Sequence, residues 1–283
     1  MKKNKREIIF FVLLPFLLLS SCGFIETETS WSERTVPEEE EVYEITEMDL
    51  STEEEGAVEI DFKEEGNCLL EEGGTYILSG DYEGQIQVDV KEYPIHLILD
   101  NVTVQSFHGP ALCIRSASKV VLTLKEGTEN KFVDSPEYGG QEEGNGCIYS
   151  ENDLTINGKG SLCVYGNKKS AISSKDCIKI LDGKIQIQSK KDGIRANDGI
   201  VLSPQNLTVK SEGNGIVTRK SGKKGKGCLK VCGGEISVVA GKNAIASAHD
   251  LYIRDCRLTL KSILKNYSWE GELNIQKGCI TNE

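Results

Sequence analysis

Short alternating stretches, rather than helical patterns, dominate the chain after residue 73. Apolar and polar residues alternate with a period of two in runs such as IQVDV (86–90) and VVLTL (120–124). Gly, Asn and Asp residues separate these runs. Period-two alternation is typical of half-buried strands, and Gly, Asn and Asp are typical of turns. The pattern predicts an all-β fold.

A repeated phrase divides the strand-rich region into coils. The first Ile of the phrase recurs at positions 148, 172, 194, 216 and 245, with spacings of 24, 22, 22 and 29 residues. The longest spacing contains the insertion SGKKGKG (221–227). Each copy supplies three short strands, which bury their apolar faces only when the copies stack. A fixed repeat of this kind predicts a β-solenoid of about 22 residues per coil. A β-sandwich is the alternative, but it would show hairpin turns and no regular phrase. The full copies are NGCIYSENDLTI (145–156), KSAISSKDCIKI (169–180), KDGIRANDGIVL (191–202) and KNAIASAHDLYI (242–253), with a partial copy NGIV (214–217).

The repeat also aligns polar residues into two rows. One row contains Asn152, Asp176, Asp198 and His249, and the other contains Ser170, Asp192, Asn214 and Asn243. Equivalent positions of successive coils lie about 4.8 Å apart. Carboxylates at that distance need a shared cation or proton, and oxygen ligands suit calcium. The candidate metal ligands are Asp176, Asp192, Asp198 and Asn214. The alternative interpretation is that these are ordinary turn residues, stacked without any ligand.

Charge is distributed unevenly along the chain. Residues 23–56 contain thirteen acidic residues and one basic residue, whereas residues 165–231 contain fifteen basic and five acidic residues. A concentrated basic region attracts a polyanion, although a solvated Lys-rich surface is the alternative. The candidate ligand contacts in this region are Lys179, Lys191, Arg195, Lys220 and Lys230.

The N-terminus has the pattern of an export signal. Four basic residues within residues 2–6 precede a twelve-residue apolar run (8–19), which is short for a membrane span, and LSSC (19–22) follows. LSSC resembles a bacterial lipobox, so residues 1–22 are predicted to be a lipoprotein signal and Cys22 to be lipidated; a plain secretory signal is the alternative. We expect the protein to be anchored on the extracytoplasmic side of the membrane. Residues 23–72 are predicted to form a disordered acidic spacer. An exported protein seldom meets nucleic acid, so an anionic polysaccharide fits the basic region better.

The chain has ten cysteines, nine of them after Cys22. Several lie in apolar runs, which favours buried thiols over a disulfide framework. Cys228 and Cys232 lack the local spacing of a zinc motif, and the chain has only three His residues. We therefore expect no zinc site.

Several longer phrases resemble the bacterial surface carbohydrate-binding domain family. They are GTYILSGDYEGQIQVDV (74–90), LILDNVTVQS (97–106), ASKVVLTLKEGTEN (117–130), CIYSENDLTINGKGSL (147–162) and KKDGIRANDGIVL (190–202). The resemblance implies a right-handed parallel β-helix similar to family 9 pectate lyases. We place this helix at residues 73–264, with a C-terminal coil or cap at 265–283. The resemblance also implies binding of an acidic plant polysaccharide such as polygalacturonate, and calcium. In the row that contains Ser170, Asp192, Asn214 and Asn243, this chain keeps the family's Asp-Gly-Ile sequence only at Asp192, which implies fewer or weaker calcium sites.

These observations predict a non-catalytic, lipid-anchored monomer that binds an anionic glycan. Two alternatives stay open. A polysaccharide lyase would use Lys191 or Arg195 beside Asp176 and Asp198 as base and charge stabiliser. A structural or assembly protein of the cell envelope would bind no sugar.

Overall fold

The computed structural model describes residues 43–63, 66–138, 144–220 and 225–282. The predicted signal peptide and Cys22 lie outside the described residues. The described secondary structure consists of one short helix and 25 strands. In chain order these are α1 (Glu47–Leu50), β1 (Val58–Phe62), β2 (Gly66–Leu70), β3 (Gly74–Asp89), β4 (Pro94–Gln105), β5 (Leu112–Ser116), β6 (Lys119–Leu124), β7 (Glu129–Val133), β8 (Gly146–Ser150), β9 (Leu154–Asn157), β10 (Ser161–Gly166), β11 (Ser170–Ser174), β12 (Cys177–Ile180), β13 (Lys184–Ser189), β14 (Ile194–Ala196), β15 (Gly199–Leu202), β16 (Asn206–Ser211), β17 (Ile216–Thr218), β18 (Cys228–Val231), β19 (Glu235–Ala240), β20 (Ile245–Ala246), β21 (Leu251–Ile253), β22 (Arg257–Ser262), β23 (Tyr267–Ser268), β24 (Leu273–Ile275) and β25 (Ile280–Asn282).

The strands form three parallel ladders that run along the molecule. Ladder 1 joins β2, β3, β5, β8, β11, β14, β17, β20 and β23. Ladder 2 joins β1, β3, β4, β6, β9, β12, β15, β18, β21 and β24. Ladder 3 joins β3 and β4 to β7, β10, β13, β16, β19, β22 and β25. One strand from each ladder makes a coil, so the chain forms a parallel β-helix.

The register of ladder 1 follows the repeated Ile. Ile148 pairs with Ile172, Ile172 with Ile194, and Ile194 with Ile216. Ile216 pairs with Ile245 across the insertion, so the extra residues are accommodated between strands without a change of register. The prediction of an all-β fold built from stacked three-strand copies is confirmed. The handedness of the helix stays a prediction.

Apolar side chains from all three ladders fill the interior of the helix. The repeated Ile residues have no exposed surface, and neither have Leu162, Ile185 and Leu207 on ladder 3. These residues belong to one continuous cluster that runs through the coils. Burying a side chain of this size contributes about 1.5–3 kcal/mol relative to leaving it exposed. The stacked interior therefore stabilises coils that could not fold alone.

The folded region begins before residue 73, which differs from the predicted spacer. The strands β1 and β2 pair with β3 and extend the helix towards the N-terminus. The helix α1 lies against ladder 2, where Asp49 is fully buried. Asp49 forms ion pairs with Lys119 at 2.7 Å and Lys179 at 3.3 Å. The acidic composition suggested a solvated segment, but this carboxylate neutralises lysines of the helix.

The last described residues form a further coil of the helix. The strands β23, β24 and β25 add one member to each ladder.

All nine cysteines from Cys68 to Cys279 are free thiols, and five of them are buried. Among the described residues, no helix has the length and apolar character needed to cross a membrane.

Candidate functional site

Two corners of the helix contain most of the predicted site residues. The 3–1 corner joins a ladder 3 strand to the next ladder 1 strand, and the 1–2 corner joins ladder 1 to ladder 2. At the 3–1 corner, the glycine of the repeated phrase is required by close packing and not by backbone conformation, since Gly193 does not have a positive φ. A Cβ at Gly193 would lie 2.4 Å from Val209 Cγ1 and 2.5 Å from Gly215 O. Asp192 and Gly193 therefore do not form a left-handed turn.

At the 3–1 corner, polar side chains bond to one another along the stack. The side-chain amide of Asn214 donates to Asp192 Oδ1 at 2.9 Å, and the amide of Asn243 donates to Asn214 Oδ1 at 3.2 Å. Asp192 Oδ2 accepts a hydrogen bond from Arg219 Nη2 at 2.9 Å. Both oxygens of the buried Asp192 carboxylate are therefore occupied by groups of the protein itself. Asp192 and Asn214 are neighbours, as the repeat predicts.

At the 1–2 corner, Asp198 is surrounded by two lysines. Lys220 Nζ lies 2.7 Å from Asp198 Oδ1, and Lys226 Nζ contacts Oδ2. The Lys220 contact is an ion pair, since Oδ1 receives no hydrogen bond of good geometry from the described residues. Burial raises the pKa of Asp198, but the adjacent ammonium groups of Lys220 and Lys226 outweigh it, so the pKa is lowered. Asp198 is held ionised.

Asp176 lies next to Asp198 in the preceding coil, as the repeat predicts. The backbone N–H of Asp198 donates to Asp176 O at 3.1 Å. Burial and the negative charges of Asp198 and Asp153 raise the pKa of Asp176. The positive charges of Lys220 and Lys226 lower the pKa of Asp176 and partly offset these effects.

Lys191 at the 3–1 corner and Arg195 on the adjoining strand β14 are not neutralised in the same way. Lys191 is exposed, and Arg195 is half-buried on β14. Neither has an ion pair with another residue that the structure describes. Burial and the neighbouring charge of Arg219 lower the pKa of Arg195, with Asp192 opposing. The guanidinium of Arg195 would therefore be stabilised by an added anion. We call Lys191, Arg195, Arg219, Lys220 and Lys226 the basic surface.

The other two predicted contacts lie on ladder 2, away from the basic surface. Lys179 is buried, and its ammonium group contacts Glu44 O and Asp49 Oδ2. Lys230 is half-buried, with Nζ 4.5 Å from the ring centroid of Tyr43 and 5.9 Å from that of Tyr252. Both lysines are covered by or packed against groups of the protein. Neither is part of the basic surface.

The predicted metal ligands do not form one oxygen cage. Asp192 and Asn214 lie at the 3–1 corner, whereas Asp176 and Asp198 lie at the 1–2 corner. The three-residue strand β14 separates the two corners, at a rise of about 3.3 Å per residue. Calcium takes six to eight oxygen ligands, but Asp192 and Asp198 already face Arg and Lys nitrogens. These residues fit calcium poorly.

Sequence reasoning missed the partners of the buried carboxylates. Arg219 and Lys226 are both in the basic region, but the repeat alone gives no reason to pair them with Asp192 and Asp198. Arg219 follows β17 and reaches back to the preceding coil. Lys226 belongs to the insertion. The insertion therefore contributes a positive charge that pairs with Asp198.

Comparison with known proteins identifies the family. Residues 64–278 match the model of the carbohydrate-binding domain-containing proteins. The chain belongs to this family. A carbohydrate-binding domain-containing protein of Acetivibrio thermocellus is 32% identical over 213 residues, which cover 73% of this chain and 74% of the relative.

A solved structure supports the fold assignment. The chain is similar to a polysaccharide lyase-like protein from C. thermocellum, solved as a gadolinium derivative, with a TM-score of 0.76 and 27% identity. The match covers 80% of this chain and 98% of that structure. Membership of the carbohydrate-binding domain family implies a polysaccharide ligand in general.

Proposed function

We propose that the protein binds an anionic, uronate-type polysaccharide at the basic surface without cleaving it. Arg195 carries this proposal, because it is a half-buried cation beside another cation, Arg219, and has no ion pair with a described residue. A carboxylate of a ligand would supply the missing counter-charge. Arg is well suited to that role, because its planar guanidinium binds a carboxylate through two parallel hydrogen bonds.

The arrangement of charges along the stack favours a polymer over a small anion. Lys191 and Arg195 belong to one coil, and Arg219 and Lys220 belong to the next, about 4.8 Å further along the helix. Five basic residues of the surface face three carboxylates, those of Asp176, Asp192 and Asp198. A repeating anion extending along the helix would meet positive charge in each coil.

We propose that this binding needs no calcium. The side chains of Arg219, Lys220 and Lys226 occupy the positions around Asp192 and Asp198 where a metal would be required to balance charge. The same groups would then act directly on the uronates. Chelator should leave the affinity unchanged.

The charge state of Lys226 disfavours this residue as the base of a lyase. A lyase needs a base to remove the proton next to the uronate carboxylate. The hydrogen bond to Asp198 raises the pKa of Lys226, which keeps this lysine protonated and a poor base. The similarity to a polysaccharide lyase-like protein keeps the lyase as the second candidate. An assay for unsaturated product distinguishes the two functions.

We also propose that lipidated Cys22 holds the protein on the extracytoplasmic face of the membrane, where it would meet such a polysaccharide as a monomer. Mass spectrometry of the N-terminal peptide of the membrane-bound protein would detect diacylation of Cys22. An unmodified thiol or a cleavage site elsewhere would contradict the anchor and leave the binding proposal intact.

A pair of matched variants tests the binding surface. The double variant Lys191→Gln/Arg195→Gln should bind polygalacturonate about 10-fold more weakly, since each exposed ion pair contributes about 0.2–1 kcal/mol and tenfold corresponds to about 1.4 kcal/mol. The control Lys210→Gln/Lys261→Gln removes two exposed lysines of ladder 3 and the same net charge. Equal weakening by both variants would show a general charge effect and contradict the assigned surface.

A further inference from the structure

Three potential metal ligands meet at the 1–2 corner, one and two coils beyond Asp198. Cys228 begins β18, and His249 and Asp250 precede β21 in the adjacent coil. Cys228 Sγ lies 3.9 Å from His249 Nδ1 and 3.7 Å from Asp250 Oδ2. His249 Nδ1 lies 2.9 Å from Asp250 Oδ1. A thiol, an imidazole and a carboxylate therefore converge, although they come from strands that pair rather than from one sequence motif.

The geometry differs from that of a catalytic Cys-His-Asp relay. In a relay the two ring nitrogens of His have different partners, one facing the nucleophile and the other facing the carboxylate. Here the thiol and the carboxylate both approach Nδ1 of His249. One ligand atom from each of the three residues lies within 4.8 Å of the other two, so the groups form a cluster instead of a chain.

The distances fit a tetrahedral transition-metal ion. Bond lengths of about 2.3 Å to sulfur and about 2.0–2.1 Å to nitrogen or oxygen place tetrahedral ligands about 3.3–3.6 Å apart. The separations are 3.9 Å from sulfur to nitrogen, 3.7 Å from sulfur to Asp250 Oδ2 and 2.9 Å from nitrogen to Asp250 Oδ1, and each differs from that range by about 0.4 Å or less. Small adjustments of the side chains would complete the geometry.

The surrounding groups hold the ligands and leave space between them. The backbone N–H of Glu272 donates to Asp250 Oδ1 at 2.6 Å, and Tyr252 Oη donates to Asp250 Oδ2 at 3.2 Å. Bonds of this kind to a carboxylate ligand orient it. A Cβ at Gly271 would lie 2.1 Å from Asp250 Oδ1 and 3.0 Å from His249 Nδ1. Only glycine at position 271 leaves the approach to the carboxylate and imidazole open.

We propose that Cys228, His249 and Asp250 bind one divalent transition-metal ion of the zinc type. The Cys228 thiol releases its proton to solvent on binding, and the thiolate and carboxylate together balance the two positive charges of the metal. The neutral imidazole supplies the third bond. The His249 side chain is 39% exposed, so the fourth position faces solvent. The ion would join adjacent coils, and this role is independent of glycan binding.

Cobalt titration of the full chain tests the site. The protein, purified in detergent, reduced and stripped of metal, is titrated with Co(II), which reports a thiolate ligand by a charge-transfer band and tetrahedral geometry by intense visible bands. We expect one equivalent to give both signals and Zn(II) to displace it. His249→Ala and Gly271→Ala should each weaken Co(II) binding by at least about 10-fold. The far-ultraviolet circular dichroism of each variant should match that of the wild type.

A thiol at the equivalent ladder position provides the control. Cys177 pairs with Gly199, and Gly199 pairs with Cys228, so Cys177 occupies the same position two coils earlier. Cys177→Ser should retain the cobalt signals, whereas Cys228→Ser should lose the charge-transfer band. A wild-type spectrum without thiolate or tetrahedral bands, or a spectrum that survives both Cys228→Ser and His249→Ala, would overturn the proposal.

Discussion

Asp49 shows how one residue links the N-terminal segment to the helix. Its carboxylate has no exposed surface and contacts Lys119 Nζ, Lys179 Nζ and Thr155 Oγ1. Burial opposes ionisation, but the hydrogen bonds from Lys119 and Thr155 outweigh it and lower the pKa of Asp49 from 3.8 to about 2. The folded protein therefore favours the charged carboxylate.

The pKa of Asp49 predicts an acid-dependent loss of stability. Because the folded pKa is lower than the unfolded pKa, the stabilising contribution is present above pH 3.8 and is lost as the pH falls through about 2. Asp49→Asn leaves two lysines without their buried counter-ion, so we expect a loss of about 3–5 kcal/mol at neutral pH. Urea unfolding of both proteins should show this difference shrinking across the acid range.

The exposed Glu47 in the same helix provides a control for the removal of an acid. Glu47→Gln should leave the free energy of unfolding within about 0.5 kcal/mol of the wild type. The wild type and Asp49→Asn are expected to differ less in free energy of unfolding at acid pH than at neutral pH. A difference that is the same at both would contradict the assigned ion pairs.

Residue type and sequence position could not predict the burial of Lys179. In CIKI (177–180) the alternation places Lys179 on the outer side of the strand, where a lysine is usually exposed. The segment that covers it lies about 130 residues earlier in the chain. That contact depends on the tertiary structure, so local periodicity gives no sign of it.

At the scale of elements, the polar row of the 3–1 corner acts as a structural stack. Asn214 joins Asp192 in the preceding coil to Asn243 in the following coil. The buried carboxylate and amides satisfy one another without a ligand. This finding favours the interpretation of the row as an asparagine ladder.

Asn214→Ala should therefore destabilise the helix. The substitution removes the bonds from the Asn214 amide to Asp192 and from Asn243 to Asn214, and the loss should be about 1–3 kcal/mol. Asn206→Ala, at an exposed position of ladder 3, is the matched control and should change stability little. Equal urea midpoints for the two variants would show that the row contributes no stability.

The repeat predicted the strands and their register, because both depend on one period in the sequence. Ile172, Ile194 and Ile216 pair where the phrase aligns them. The corners were less predictable, since their side chains bond between coils. Cys228 and Asp250 are 22 residues apart in sequence, yet they meet because one coil separates them. A search for local zinc motifs does not detect ligands spaced by a coil.

At the scale of the whole molecule, charge separates into regions with different roles. Acidic residues concentrate near the N-terminus, where at least Asp49 neutralises lysines of the helix. The basic surface occupies the middle coils, where Asp192 and Asp198 are paired internally and Arg195 is not. The chain belongs to a carbohydrate-binding family, and we propose that this surface selects a negatively charged carbohydrate.

The most direct test of anionic recognition compares polygalacturonate with its methyl ester, which has the same backbone without the charge. The full chain in detergent is titrated with each polymer at low and high salt, with and without chelator, while absorbance reports unsaturated product. We predict binding to polygalacturonate that weakens with salt, persists in chelator and gives no product, and little binding to the ester. Equal binding of both polymers would contradict recognition of the carboxylates by the basic surface.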